Sequence, residues 1–261
     1  KNKIMGYISK LIKPTPNVAT MIQSNKTDLA YGAGDVVCDW TPFDVPKGAV
    51  KLESITLLVT GENGSPQGTV RDVMLYFAKS DADGTAPTSL GTGNATANGV
   101  GFYNNVLGHV ILDLTAGDAN LDFATIMTAF SHGGDPLVGH TNLVLQGEPN
   151  SGATVNMERL YVGVIGGGSF AFDFSTGVIA DGAVTLGAAS TFDVTSGGTD
   201  ANKVFNPGDV ILVHDSDTPI GTVKSVTANN IVLESATGVA IANTDEIMHQ
   251  SPIKIRLGLQ Y

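Results

Sequence analysis

Residue types that bind metal ions are scattered through this 261-residue sequence and form no cluster. The single cysteine, Cys38, stands alone, and no two histidines share His-x-His or His-Glu-x-x-His spacing. Those are spacings by which short motifs gather zinc ligands. The sequence therefore predicts no metal site and no cofactor. The histidines are His109, His132, His140, His214 and His249.

Two short acidic segments contain oxygen ligands of the kind that Ca²⁺ prefers. Asp81-Ala82-Asp83-Gly84 begins like a calcium-binding loop, but Thr92 stands at the twelfth position, where such a loop needs Glu. We interpret this segment as a turn. Asp215-Ser216-Asp217 lies between two predicted strands and is interpreted as a hairpin tip, with a surface cation as the alternative.

The sequence contains no recognisable motif for nucleophilic or phosphoryl-transfer catalysis. There is no Gly-x-Ser-x-Gly elbow and no Walker Gly-Lys-Ser/Thr, and residues 166–169 form a glycine run without the strand–turn–helix context of a nucleophile. Two carboxylates suffice for a glycosidase, and 25 acidic residues leave that alternative open. The chain has one tryptophan, Trp40, which we assign to the core. We predict a non-enzymatic protein without catalytic, cofactor-binding or metal-binding residues.

The charge distribution limits the partners. A net charge of −11 argues against general nucleic-acid binding, and no run of about 18 apolar residues predicts a membrane span. The first ten residues are too polar for a secretory signal. Five lysines in the opening segment are interpreted as an ordinary solvated terminus, with a basic arm that reaches an acidic neighbour as the alternative. They are Lys1, Lys3, Lys10, Lys13 and Lys26.

The last third of the chain has the clearest β pattern. Pro207-Gly208-Asp209 precedes an apolar run over residues 210–213, a second run follows over 220–226, and Asn229-Asn230 turns the chain into a third run over 231–233. Turn residues between short apolar runs predict a small antiparallel barrel or meander. Residues 253–259 alternate apolar and basic side chains, which predicts a final strand.

The earlier part of the chain also predicts strands, over residues 51–59, 70–78, 108–114, 143–146 and 155–164. Residues 1–13 carry a weak helical stripe and are either a short helix or an extended arm. Thr115-Ala116-Gly117-Asp118 has the form of a capping box, and apolar residues at 123, 126, 127 and 130 then predict one helix. Residues 79–99 are polar and long, which predicts a surface loop that contacts another chain.

These patterns predict an all-β protein. Residues 1–30 form an N-terminal arm, and residues 31–165 form a jelly-roll-like β-sandwich with one short helix. Residues 166–261 form a small C-terminal β-barrel-like domain with its core at 204–261. Gly166-Gly167-Gly168 marks the boundary, because three consecutive glycines carry no side chain for packing. Cys38 is expected to be a small buried apolar residue.

The run over residues 72–80, the loop over 87–91 and the segment Gly208-Asp209-Val210-Ile211 resemble virion structural proteins of tailed bacteriophages. The closest type decorates a head or joins head and tail. The resemblance implies a non-enzymatic, symmetric oligomer on a capsid or tail surface, located in the virion. Its partners would be copies of itself and other virion proteins, without direct contact to nucleic acid or membrane.

Two other functions stay open at this stage. A jelly-roll sandwich is also typical of carbohydrate-binding or adhesion proteins, and exposure of Trp40, Tyr76, Tyr103 and Tyr161 separates this alternative from a structural role. A hydrolase on a β scaffold requires two carboxylates in one cleft. Low charge, at 15% of residues, favours the structural role, because surfaces covered by neighbouring subunits need few charges.

Overall fold

Antiparallel sheet makes up most of the chain in the computed structural model. The structure describes residues 6–16, 29–61, 65, 72–112, 119–121, 124–130, 141–168, 170–172, 174–196, 200–214, 216 and 218–261. Its strands are β1 (Tyr7–Ile12), β2 (Leu29–Tyr31), β3 (Val36–Pro46), β4 (Val50–Thr60), β5 (Val73–Lys79), β6 (Val106–Leu112), β7 (Ala119–Leu121), β8 (Ala124–Phe130), β9 (Val144–Leu145), β10 (Met157–Gly166), β11 (Phe170–Phe172), β12 (Val178–Ala180), β13 (Thr191–Ser196), β14 (Val210–Val213), β15 (Pro219–Val226), β16 (Asn230–Leu233), β17 (Ile247–His249) and β18 (Ile253–Gln260).

Eight of these strands form the predicted jelly-roll sandwich. One sheet has the order β1-β18-β4-β8, extended by β7, with β9 also paired to β4, and the other has the order β3-β10-β5-β6. Counted along the chain as strands 1 to 8, the long strands follow the orders 1-8-3-6 and 2-7-4-5. That is the arrangement of two interlocked Greek keys. The prediction of an all-β sandwich is confirmed.

The sandwich core comes from the alternating inward positions of both sheets. On β4, Leu52, Ile55, Leu57 and Val59 are fully buried, and the residues between them are half-buried. Each such side chain contributes about 1.5–3 kcal/mol when it leaves water. Cys38 is buried in the same core, as predicted, and burial raises the pKa of its thiol far above the usual range. Cys38 is therefore an unreactive core residue.

The N-terminal segment is a strand of the sandwich. Residues Tyr7–Ile12 pair with β18 in an unbroken antiparallel register, from Tyr7 opposite Gln260 to Ile12 opposite Ile255. Ile12 is buried in the sandwich core and Leu11 is exposed. Of the two alternatives for residues 1–13, the structure therefore shows extended chain over the described part.

The predicted C-terminal meander is present and is nearly closed. Strands β12 to β17 form a six-stranded sheet in the order β12-β13-β16-β15-β14-β17. An isolated bridge between Ile179 and Glu246 brings the two end strands together. Phe192, Phe205, Ile211 and other apolar residues fill this barrel as a second core. Full closure leaves fewer open strand edges than a flat sheet would.

The two units do not simply follow each other along the chain. The final strand, β18, was predicted within the C-terminal unit, but it lies between β1 and β4 in the sandwich. Its apolar residues Ile253, Ile255 and Leu257 belong to the sandwich core. The barrel is therefore inserted between the seventh and eighth strands of the jelly roll. The segment expected to be a separate arm pairs with the last strand of the chain.

The helix predicted after residue 118 is wrong over the described residues. Residues Ala124–Phe130 form β8, which pairs without interruption with Ser54–Thr60 of β4. Thr125, Ile126 and Thr128 are β-branched and fit a strand better than a helix. Thr125 is buried and Thr128 is exposed, in a period of two. The proposed capping box lies outside the described residues.

The described residues include two short helical segments. A single 3₁₀ turn spans Val100–Phe102, and helix α1 spans Ala201–Val204 at the entrance to β14. The fully buried Ala201 belongs to the barrel core. The one short helix therefore belongs to the inserted barrel and not to the sandwich.

Candidate interaction surface

The long segment between β5 and β6 packs on the sandwich and is not the unpacked loop that we predicted. It crosses the outer face of the β3-β10-β5-β6 sheet, where Leu90 is fully buried and Phe102 is nearly so. Gly163 of β10 makes this contact possible, because a Cβ there would collide with Leu90 and approach Trp40 to 3.2 Å. The segment therefore shields this face of the sheet.

Asp39 fixes this covering segment, residues 80–105, to β3. Its carboxylate accepts hydrogen bonds from the Ser89 hydroxyl at 2.6 Å and from the Leu90 amide at 2.9 Å. The indole of Trp40 donates to the Thr88 carbonyl at 2.9 Å. Charge-assisted hydrogen bonds of this kind are stronger than neutral ones. These three bonds place Leu90 over Gly163.

A polar cavity of about 480 Å³ lies beside this anchor. It is lined by Thr15 from the segment after β1, by Val36 and Asp39 of β3, and by Ser89 and residues 91–93 of the covering segment. Both carboxylate oxygens of Asp39 already accept hydrogen bonds from the protein. The cavity therefore marks a seam between segments of the chain.

Four aromatic residues test the carbohydrate-binding alternative, and they differ in exposure to solvent. Tyr161 is buried, and Trp40 and Tyr76 are half-buried. Tyr103 is 70% exposed and lies edge-to-face with Phe102 at a centroid distance of 6.5 Å. Our assignment of Trp40 to the core is correct in part, since it packs in the small cluster under the covering segment. A single exposed ring is less than the row of rings that glycan platforms need.

The histidines are dispersed in the fold as they are in the sequence. His109 is exposed on β6 and stacks on Tyr76 at 5.2 Å, whereas His214 and His249 are buried in the barrel. His132 and His140 lie outside the described residues. Within the described ranges, no three His, Cys, Asp or Glu side chains gather as metal ligands. The described helices include none that is long and apolar enough to cross a membrane.

The acidic segment at Asp81 is a turn. The amide of Gly84 donates to the Asp81 carbonyl at 2.9 Å, and the Thr85 amide donates to the Asp83 carboxylate at 2.9 Å. The Asp81 carboxylate accepts from Asn105 at 2.9 Å. The carboxylates of Asp81 and Asp83 thus serve the local backbone and a neighbouring turn. Residues 215 and 217 of the second acidic group lie outside the described residues.

A second cavity, of about 380 Å³, lies on the barrel and includes two carboxylates in its lining. Asp181 and Asp193 line it together with Val194, Thr195 and Asn229. The Asp193 carboxylate accepts a hydrogen bond from the Asn230 amide group at 2.8 Å. One of the two carboxylates therefore has a structural partner.

A buried ionic cluster joins the barrel to the sandwich. The Lys254 ammonium on β18 lies 2.9 Å from Asp209 Oδ1 at the start of β14. Asp209 also accepts from the Asn206 amide at 3.0 Å, and His249 Nδ1 is 3.8 Å from its other oxygen. Lys13, after β1, donates to the Gly208 carbonyl at 3.3 Å. The neighbouring strands β1 and β18 thus contact the same turn of the barrel from one end of the sheet.

Electrostatics within this cluster favour a charged Asp209 and a neutral His249. Burial opposes ionisation of Asp209, but His249 and Lys254 outweigh it and lower the pKa of this carboxyl. Burial also lowers the pKa of His249 to about 4. The neutral His249 ring places Nε2 3.1 Å from the Val204 carbonyl, to which it donates. No local pattern of residues indicates this cluster, because Asp209 and Lys254 are 45 positions apart.

Of the five lysines in the opening segment, Lys10 and Lys13 lie in the described part, and Lys13 donates a hydrogen bond within the chain, to the Gly208 carbonyl. Lys10 lies near Asp44, which is bound by Arg159 through two hydrogen bonds of 2.8 and 3.2 Å. Partial burial opposes ionisation of Asp44, but the bonds from Arg159 and Ala153 lower its pKa overall. Lys1, Lys3 and Lys26 lie outside the described residues.

Large exposed apolar side chains concentrate where the chain ends meet. Tyr7 is 71% exposed and Leu11 is 48% exposed on β1, and Tyr261 is exposed directly after β18. Other exposed apolar residues are dispersed, such as Val144 on β9 and Leu186 on the barrel. Exposed apolar groups beside an unpaired strand edge are the surface feature on which the proposal below depends. The sequence left residues 1–13 open between a short helix and an extended arm, because residues 7–12 show no clean alternation of apolar and polar side chains.

Comparison with known proteins provides no relative. No protein-family model matches the chain, and no curated protein matches it. The function is therefore argued from the fold and from the surface described above.

Proposed function

We propose that this chain is a non-enzymatic virion structural protein that assembles with itself or with other capsid or tail proteins. The observation that carries the proposal is the jelly-roll order of the two sheets, with a second β unit inserted before the last strand. Jelly rolls are frequent in viral capsid proteins. A fold hosts many functions, so this support is an analogy of architecture.

Features of the surface agree with a structural role. Large apolar side chains are exposed along β1 and at Tyr261, where a neighbouring subunit can cover them. The covering segment and the Asp209 cluster tie loops and units to the sandwich. A protein built for assembly benefits from such rigidity, because fewer groups lose freedom on binding.

Charge is unevenly divided between the two units, which suggests how neighbours align. Residues 170–252 contain ten Asp or Glu and two Lys or Arg, although the chain as a whole has 25 and 14. The inserted barrel is therefore strongly acidic and the sandwich almost balanced. Opposite charge steers association and like charge prevents wrong contacts. We infer that the barrel faces a basic partner or solvent, and that it contacts neither nucleic acid nor an anionic membrane.

The test is binding to particles of the source virus, combined with the native mass of the purified chain. The proposal expects an oligomer by sedimentation velocity, or co-sedimentation with particles and density at regular positions in electron micrographs. A tag inserted beside the exposed Leu186 on the barrel marks its location. A stable monomer without affinity for the particles would overturn the proposal.

A second candidate function is carbohydrate binding, which the exposed ring of Tyr103 favours. Tyr103 follows the 3₁₀ turn and packs against Gly99, so its ring is held on the surface. Stacking of a sugar on an aromatic ring would make Tyr103→Ala abolish glycan binding, whereas Tyr261→Ala would not. Absence of glycan binding by the unmodified chain in an array experiment rejects this candidate.

A further inference from the structure

The strand β1 presents an open edge with a defined set of backbone groups. Gly6 and Tyr261 exchange two backbone hydrogen bonds of 3.0 Å, so they form a hydrogen-bonded pair of the β1–β18 ladder. Such pairs alternate with non-hydrogen-bonded pairs in an antiparallel ladder. The N–H and C=O groups of Tyr7, Ser9 and Leu11 therefore point away from β18. Among the described strands, none lies along this side of β1.

Lys10 is the one residue of β1 of a type that usually hinders strand pairing at an edge. Residues Tyr7–Ile12 contain no proline, no acidic residue and no bulge in their register with β18. The edge strand of the opposite sheet, β3, contains Pro42 and Pro46, and its first residue bridges to Gly93 of the covering segment. Prolines, bulges and covering segments are typical protection for edges. β1 is therefore the less protected edge strand of the two.

We propose that β1 pairs antiparallel with β1 of a second copy across a twofold axis, with Ser9 opposite Ser9 of the partner subunit. This inference rests on the proposed function and names its self-contact. Tyr7 then lies opposite Leu11 of the partner subunit, and the two apolar pairs flank the small serines. The six outward backbone groups of Tyr7, Ser9 and Leu11 all meet complementary groups in this register. The sheet that contains β1 in one copy and the same sheet in the second copy then form one continuous sheet.

The charge pattern favours this register over the neighbouring one. With Ser9 at the centre, Lys10 lies opposite Ile8 of the partner subunit. A shift that centres the pair on Lys10 would place two ammonium groups directly opposite each other, which is destabilising in a sheet. Pairing about Ser9 therefore avoids directly opposed Lys10 side chains.

The size of the contact sets the strength that we expect. A stable protein–protein interface buries about 1,600 Å² in total, and one strand pair of six residues buries less than that. The pair is therefore a weak contact in dilute solution that strengthens when other contacts hold the copies together. Covalent trapping is the suitable measurement, since it detects a defined register even when the population is small.

Ser9→Cys tests the register directly in the full chain. Residues of a hydrogen-bonded antiparallel pair have Cα atoms about 5.5 Å apart, within the range for a disulfide. The native thiol, Cys38, is fully buried and does not compete. We expect mild oxidation to give a disulfide-linked dimer, in a yield roughly tenfold above that of Leu186→Cys, an exposed control on the barrel, because pairing raises the local thiol concentration.

A mixed experiment with Tyr7→Cys and Leu11→Cys, one of the two carrying a mass tag, provides the second test. In an equimolar mixture, the tagged–untagged heterodimer should exceed the twofold excess over either homodimer that random pairing gives, because Tyr7 faces Leu11 of the partner subunit and not its own equivalent. Adding Leu11→Lys to Ser9→Cys should lower the dimer yield, whereas adding Val144→Lys on the same sheet should not. An unchanged melting temperature verifies that each variant is folded.

The outcomes separate this inference from the function on which it rests. Dimer yields for Ser9→Cys equal to those of the barrel control, with no heterodimer preference in the mixture, overturn the β1 pairing. The same chain binding to virus particles would then leave the structural role intact and assign the self-contact to another surface. Specific trapping without particle binding would keep the pairing and the self-assembly role, and would reject only their place in a virion.

Discussion

The ammonium of Lys254 lies 2.9 Å from Oδ1 of Asp209, and this ion pair joins the last strand of the jelly roll to the inserted barrel. Asp209 is almost wholly buried, and Lys254 is buried along most of its length. Lys13 contacts the same barrel turn from the first strand's side. The two strands that meet at the chain ends, β1 and β18, thus both hold the barrel to the sandwich.

Removing one partner of this pair should destabilise the whole protein. Lys254→Met leaves the Asp209 carboxylate buried beside a neutral side chain, and loss of one buried partner costs roughly 3 kcal/mol. The double variant Asp209→Asn with Lys254→Met should lose less than the sum of the two single variants, because no unpaired charge remains. Urea unfolding followed by circular dichroism measures these changes.

Lys203→Met is the matched control, because Lys203 of helix α1 pairs with Asp200 directly before it, and both side chains are exposed. Exposed ion pairs stabilise a fold by about 0–1 kcal/mol. Equal losses for the two lysine variants would contradict a special role of the buried pair.

Acid should weaken the fold through His249. Its folded pKa is about 4, against an ordinary value of 6.5, so the unfolded chain binds a proton first as the pH falls. The titration of His249 therefore leaves the free energy of unfolding unchanged above pH 6.5 and lowers it between pH 6.5 and about 4. Below that pH this group causes no further decrease. The carboxyl of Asp209 has a lowered folded pKa, so its stabilisation is lost in turn as the pH falls below its ordinary value of 3.8.

Urea midpoints at about pH 7 and pH 5 measure the decrease in stability that His249 causes. Both pH values lie above the isoelectric point of about 4.6. His249→Gln retains a donor for the Val204 carbonyl and has no titration in this range, so its midpoint should change less between the two pH values. His109→Gln, at an exposed position, should keep the full dependence. A pH dependence in His249→Gln as steep as in the unmodified chain would refute the assignment.

The covering segment over the outer sheet should need Leu90 for its position. Leu90 is fully buried, and Leu→Ala at such a site costs about 3 kcal/mol, including the cavity left behind. Leu90→Ala should also make residues 80–105 susceptible to limited proteolysis, because the segment then loses its fully buried apolar contact with β10 and keeps mainly polar ones, such as those to Asp39. Gly163→Val should act in the same way, since its side chain occupies the place of Leu90.

The exposed Leu186→Ala is the control for this substitution and should leave both stability and the cleavage pattern unchanged. Cleavage of the Leu90→Ala variant at the rate of the unmodified chain would show that the segment is held by its polar contacts instead.

The sequence predicted local structure well where one period dominated, and less well where distant segments meet. The strands around Val210 and Ile231 were found because turn residues frame short apolar runs. The helix over Ala124–Phe130 was wrong because apolar spacing of three and four also arises by chance in a strand that is buried on one face. Periodicity alone cannot distinguish the two in so short a segment.

The site was hidden from sequence reasoning for the same reason. Alternation over residues 253–259 predicted a strand, but no local signal shows that its partners are β4 and β1, some 200 or more positions earlier. The covering segment was read as unpacked because its polar composition masks one decisive residue, Leu90, and one small partner, Gly163. Such contacts depend on the closed topology and not on composition.

The order of the strands leads to a last prediction, that the sandwich cannot fold without the final segment of the chain. A chain that ends at residue 252 lacks β18, so β1 loses its partner and β4 gains an open edge. It also loses four buried side chains, which together stabilise the fold by about 6–12 kcal/mol, comparable to the total stability of a typical domain. These are Ile253, Ile255, Leu257 and Leu259. Circular dichroism and amide proton spectra of the shortened chain should show loss of the sandwich. Removal of Tyr261 alone, which is exposed, should leave the spectra unchanged. A native-like sandwich in the shortened chain would show instead that residues 31–165 fold independently and that β18 only adds to a finished sheet.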